Sequence, residues 1–208
     1  MQVDIIDKSE NWLDTIWTAI RTCHSEKIPL ELKIGAVNQP EDGKIKLVLS
    51  CAKLGHLSVL EHATVTFAVS WVSRSLLAQY SRHRIGISLS VQSQRYVSKS
   101  PLDFVTPGKL CRRSDMQEAF MHAMRTSQEV YERLIMLGAP KEDARAVLPN
   151  ATCTNFVTTL NLRSLLDLYN KRVRVAGAQA EIKEMVQTMA DRVIEVEPWT
   201  AGLFTAKN

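Results

Sequence analysis

The segment 64–72, TVTFAVSWV, alternates without a break: Val65, Phe67, Val69 and Trp71 on one side, Thr64, Thr66, Ala68 and Ser70 on the other. A period of two sends successive side chains to opposite faces of an extended chain. This segment therefore reads as a strand half-buried in an antiparallel sheet, with an apolar face that other elements must cover. The covers are legible as helices. After Ser9, read as an N-cap, Trp12, Leu13, Ile16, Trp17 and Ile20 recur at helical spacing through about residue 23. Further helices are predicted over about 44–55, 73–84, 115–137, 140–149, 161–172 and 178–195, several of them closed by Gly or Pro. Residues 2–6 and 152–160 read as additional strands, 29–43 as a turn-rich connection, and the apolar residues of 115–137 as core or a helix-bundle interface. The expectation is an α+β fold, an antiparallel β-sheet flanked by long helices, as a single domain over residues 1–208.

The charge pattern is concentrated in one place. Residues 79–96, QYSRHRIGISLSVQSQRY, hold Arg82, Arg84, Arg95, His83 and four serine hydroxyls from Ser81 to Ser93, with no Lys, Asp or Glu. A solvated basic face interleaves Lys with acids. Arg instead offers a planar fork that clamps phosphate or carboxylate, and Ser hydroxyls and loop amides complete an anion cradle. Two readings follow from the residues alone. One is a pocket for a phosphorylated small molecule; the other is a basic loop that pairs with acids elsewhere or lies in an oligomer interface. The predicted helix 73–84 sets Gln79, Arg82 and His83 one turn apart, so that they converge on one ligand. Its C-terminal carbonyls repel an anion, which leaves the arginines to attract phosphate.

Composition narrows the function classes. The net charge of +4 is mild, and there is no Lys/Arg-rich tail or aromatic-interleaved basic stripe, which points away from nucleic acid. Cys23, Cys51, Cys111 and Cys153 contain no CxxC pair, so reduced thiols are expected. The opening MQVDIIDKSE lacks an apolar signal core and no run reaches the ~18 apolar residues of a membrane span, so a cytoplasmic protein without a membrane partner is expected. His56, Glu61 and His62 crowd one segment, but their spacing lacks the helical HExxH geometry, and no metal is expected.

RHR at 82–84, the eight-residue spacer 85–92 and Ser93-Gln94-Arg95-Tyr96 together resemble the signature of flavin-dependent thymidylate synthases. The resemblance extends to GHLSVLEH at 55–62, to Arg145 ahead of Leu148-Pro149, to Asn161-Leu162-Arg163-Ser164 with Arg172 eleven residues after the Asn, and to Pro198-Trp199. It spans about residue 55 to Trp199; the first fifty residues match loosely.

This resemblance implies reductive methylation of dUMP to dTMP, with methylenetetrahydrofolate as carbon donor and NADPH-reduced FAD as hydride source. It places Ser58, Glu61, Arg82, His83, Arg84, Ile85, Asn161, Arg163 and Asp167 at FAD, with His56 lining the same site. Gln79, Ser93, Gln94, Arg95, Arg145 and Arg172 fall at the nucleotide. Arg172 and Arg82 are the implied catalytic residues, the first polarising a uracil carbonyl and the second standing between flavin and nucleotide. A homotetramer with active sites between subunits is implied, and a mechanism without a cysteine nucleophile, in keeping with the distance in sequence of every Cys from the arginine loop.

Three departures from the family pattern are visible. Ser90-Val91 stand where Asn-Glu often precedes the motif Ser, Asp167 stands where Asn is frequent, and VRVAGAQAEI after Arg172 lacks the His of the usual Asp-Ser-His-Ala-Gln. They leave two alternatives: a flavin-free nucleotide-binding regulator on the same scaffold, or a related enzyme acting on a different pyrimidine nucleotide.

Overall fold

The computed structural model describes residues 1–97 and 101–205. Four strands, β1 (Gln2–Lys8), β2 (Thr64–Ser73), β3 (Ile87–Val91) and β4 (Cys153–Asn161), form one antiparallel sheet in the order β1-β2-β4-β3. Among the described residues there are nine α-helices: α1 (Trp12–Thr22), α2 (Pro29–Ala36), α3 (Glu41–Lys53), α4 (Arg74–Tyr80), α5 (Ser114–Met136), α6 (Lys141–Ala144), α7 (Leu162–Arg172), α8 (Ala180–Val196) and α9 (Ala201–Thr205). None of them is long and apolar enough to cross a membrane. The α+β class with an antiparallel sheet is as expected.

The chain packs as two compact units. One comprises Val3–Ala68, His83–Ser88 and Thr158–Asn208; the other Met1–Gln2, Val69–Arg82 and Leu89–Val157. In the first, α1 packs on α2 and α3, and α7 on α8. Helix α8 buries Ile182, Met185, Val186, Met189 and Val193, the stripe its spacing predicts, and α7 buries Leu162, Leu165 and Leu168. Fully burying each such side chain is worth about 1.5–3 kcal/mol, so this stripe alone supplies much of the unit's cohesion. In the second unit Tyr80 stacks on Phe156 with ring centroids 5.2 Å apart, and Met124 and Tyr131 are the buried residues of α5.

Local capping follows the sequence in places. Ser73 Oγ accepts from Leu76 N–H at 3.0 Å and starts α4; Asn161 Oδ1 accepts from Ser164 N–H at 2.8 Å and starts α7. Helix α5 ends before Gly138, whose φ of +87° is the left-handed conformation a closing residue adopts.

Elsewhere the structure corrects the reading. The connection 29–43 contains α2, with Pro29 in its first turn, where a missing N–H does no harm. Ser9 caps nothing. Its N–H donates to Thr64 O at 2.9 Å and its Oγ accepts from Thr64 N–H at 3.0 Å, while Asn11, at φ 49°, precedes α1. Asp115, expected as the cap of the helix over 115–137, lies inside the first turn of α5, and its ion pair with Arg113 holds its carboxyl below the usual carboxylate range. Met116 and Val130 of α5, expected as core or interface, are exposed in the single chain and so are not core. Helix α4 stops at Tyr80 rather than running to residue 84, and the spacer contains β3, hydrogen-bonded to β4. The alternation of β2 breaks at Trp71: its φ of +61° turns the indole outward, and Val72 takes the inward place.

Candidate functional site

In the unit containing α7, a groove of about 330 Å³ is lined by Leu57, Glu61, Ile85, Gly86, Asn161, Arg163, Ser164, Asp167, Asn170 and Lys171 among others. The end of β4 and the first turn of α7 supply Asn161, Arg163 and Ser164, fixed by the Asn161 cap. The 3-10 turn Ser58–His62 supplies Glu61, whose carboxylate pairs with Arg163. Residues 85 and 86 close the floor. Ser164 Oγ donates to Ile85 O at 2.8 Å, and Asn161 N–H reaches Gly86 O. Gly86 has φ +66°, and a Cβ built there would stand 2.6 Å from Asn161 Nδ2 and closer still to Ser164 Oγ. Only glycine fits this close approach. The Ile85 side chain is 91% exposed. Asp167 pairs with Lys171 at 2.8 Å along α7.

At the last residue of α7, Arg172 Nε donates to His83 Nε2 at 3.0 Å. In this contact the His83 nitrogen acts as acceptor and the guanidinium as donor. Five of the residues expected at FAD (Glu61, Ile85, Asn161, Arg163 and Asp167) thus line one groove. Ser58, His83 and Arg84 belong to the same unit without lining it, and Ser58 and Arg84 are exposed.

The residues expected at phosphate gather in the other unit. Ser93 and Gln94 line a small cavity of about 30 Å³ together with Arg74, Gln92, Asp103, Tyr131, Cys153 and others. That is room for about one water molecule. Arg95 N–H donates to Ser93 Oγ at 3.2 Å, and Tyr96 and Val97 N–H both turn back on Ser93 O. Arg95 pairs with Glu142 through Nη2 at 2.8 Å, and Arg145 Nε donates to Glu142 O at 3.1 Å. The Arg74 guanidinium is pulled below its ordinary value by burial first and by the charge of Arg145 second. Its Nε has no hydrogen-bond partner among the described residues. Gln79 and Arg82 lie at and just beyond the end of α4 in this unit. With α4 ending at Tyr80, Arg82 is a turn residue and His83 is in irregular backbone, and the helical spacing expected to make them converge does not govern them.

The family model described as Thymidylate synthase complementing protein matches residues 4–199. The flavin-dependent thymidylate synthase of Halobacterium salinarum is 32% identical over all of this chain and 96% of its own length. That of Clostridium tetani is 30% identical, covering 95% of this chain and 84% of its own. That of Geobacter sulfurreducens is 41% identical over 70% of this chain and 62% of its own. The chain belongs to the flavin-dependent thymidylate synthase family.

For a member of that family, four residues at these sites escaped the sequence reading. Gly86 could have been suspected from its place two residues after RHR, but its need for a positive φ is visible only once β3 pairs with β4. Arg74 sits five residues ahead of Gln79 and carries no motif, though an arginine in the first turn of an otherwise uncharged helix was a usable signal. Asn155, whose side chain reaches Gln92, left none. Cys153 corrects the statement that cysteines stand clear of the arginine loop: remote in sequence, it shares a cavity with Ser93 and Gln94 through the β4 fold-back.

Proposed function

We propose that the chain converts dUMP to dTMP by reductive methylation, with methylenetetrahydrofolate as carbon donor and NADPH as reductant of bound FAD. The observation that supports this reading is that Arg74, Ser93 and Gln94 line one cavity while Arg95, next in the chain, and Arg145 are both held by Glu142. Cations held together with hydroxyl and amide donors are relieved by a dianion, and a nucleotide phosphate is one. Ser93, Arg95, Arg145 and Arg74 would then hold the phosphate, with Gln79 and Arg82 completing the nucleotide side.

The groove by α7 suits FAD. Arg163 offers a cation for phosphate, Asn161 and Asn170 offer carboxamides, and exposed Ile85 and half-buried Leu57 offer apolar surface to a ring. When bound, FAD supplies the hydride. The protein's part is orientation and charge: Arg172, aimed by His83, would hydrogen-bond a uracil carbonyl and stabilise negative charge developing there. No cysteine adduct is needed in this scheme. Assembly as a homotetramer with sites completed by neighbouring subunits is part of the proposal; the exposed Met116, Met121 and Val130 of α5 are available for such a contact.

The test is a visible absorption spectrum of the purified protein before and after FAD, then dUMP, followed by assay of dTMP. A flavin spectrum that shifts with dUMP, and dTMP formed only when reductant and folate are both present, is the expected result. Nucleotide binding with no flavin retained would overturn it in favour of a regulator.

A further inference from the structure

Gln92, the residue immediately ahead of the Ser93-Gln94-Arg95 turn, is fastened on three sides within one unit. Its N–H donates to Asn155 O at 2.9 Å, its C=O accepts from Arg74 Nη2 at 3.1 Å, and its Oε1 accepts from Asn155 Nδ2 at 2.9 Å. The other end of the Asn155 carboxamide, Oδ1, accepts from Trp71 N–H at 3.0 Å. Trp71 is the residue whose left-handed backbone breaks the alternation of β2. Asn155 therefore ties a distorted point of β2 to the entrance of the proposed phosphate turn, with its acceptor on one and its donor on the other.

We infer that Asn155 is a positioning residue for the nucleotide phosphate. It touches no substrate in this scheme and acts by fixing Gln92, hence the place from which Ser93 Oγ and the Arg95 N–H and side chain project. The inference rests on the proposed function for the identity of the ligand, but not for the existence of the clamp. A site whose donors are held in advance binds its anion without first ordering a loop. Displacements of about 1 Å in such a site can cost as much as about a hundredfold.

The chemistry of the link makes its test specific. Leucine at 155 keeps the shape of asparagine and loses both hydrogen bonds. Aspartate keeps the acceptor toward Trp71, and the Gln92 amide, turned over, can donate Nε2 to it. Asn155→Leu should raise KM for dUMP about tenfold or more while kcat changes by less than about threefold, the signature of lost ground-state positioning rather than lost chemistry. Asn155→Asp should return KM to within about threefold of the parent. Gln92→Leu, which cuts the same link from the turn side, should behave like Asn155→Leu.

A second readout needs no ligand. In the unliganded protein, amide hydrogen exchange over residues 93–97 should quicken in Asn155→Leu and Gln92→Leu and stay at the parent rate in Asn155→Asp. Unchanged KM and exchange in both leucine variants would overturn the inference. So would equal damage in Asn155→Leu and Asn155→Asp with protection lost throughout the unit, which is what a general packing role predicts. A parent protein that fails to bind dUMP would instead refute the proposed function, and the exchange experiment would still decide the clamp.

Discussion

Arg95 and Glu142 are joined, guanidinium Nε and Nη2 both on Oε2 at 2.9 and 2.8 Å. The acid comes from the first turn of α6, so the arginine assigned to phosphate is already held by a carboxylate, and an arriving anion must displace it. Both side chains are about half exposed, at 50% and 48%. An ion pair so exposed is worth roughly 0–1 kcal/mol, so the competition is mild. Glu142→Gln should tighten dUMP by up to about fivefold at low salt, read by calorimetric titration. Weaker binding would mean that the pair holds Arg95 in its useful pose rather than competing for it.

Removing the arginine itself has a larger effect. Arg95→Ala should weaken dUMP by roughly 1.5–3 kcal/mol, the scale of a hydrogen bond to a charged group, with flavin retention unaltered. Equal dUMP affinity in the variant would take Arg95 out of the phosphate site.

Cys153 is the cysteine to watch, since it shares a cavity with Ser93 and Gln94. Cys→Ser at 153, and at Cys23, Cys51 and Cys111, should leave kcat within about threefold, because a nucleophile's loss would cost several orders of magnitude. A folded Cys153→Ser protein that binds flavin and dUMP yet makes no dTMP would overturn the cysteine-free scheme.

Trp71 reverses an ordinary preference. Within a strand, alanine normally exceeds glycine by about 0.5–1 kcal/mol. At φ +61° the order should invert, with Trp71→Gly more stable than Trp71→Ala by about 1 kcal/mol, measured by urea unfolding. The normal order would show that the backbone relaxes out of this conformation once the indole is gone.

What the sequence disclosed were the features that local chemistry dictates. The alternation of β2 up to Val69, the Ser73 cap, the apolar stripe of α8 and the closing Gly138 all depend on near neighbours, and all stand where expected. The misses depend on pairing across distance. Strand β3, ISLSV, carries serines that look like loop, and it is a strand because β4 offers it a ladder. Trp71 fits a period of two perfectly well on paper; its departure is a backbone event tied to Asn155, 84 positions away. The sites show the same division. Glu61, Ile85, Asn161, Arg163 and Asp167, grouped by motif, line one groove, while Asn155 and Cys153 enter by tertiary placement and carried no local sign, and Arg74 carried only its place in an otherwise uncharged helix.

Gly86 has a consequence for how such a chain can change over generations. Any side chain at 86 collides with Ser164 and Asn161, and Asn161 also starts a helix while Ser164 holds the carbonyl of residue 85. A lineage drifting by single steps therefore meets a three-cornered lock. Substitution at 86 is blocked until 161 and 164 shrink, and shrinking either one first loosens a helix start or the floor of the groove. Variation in this corner of the protein should arrive as joint replacements or not at all, even though residue 85, one step along the chain, is open to solvent and sterically free to vary.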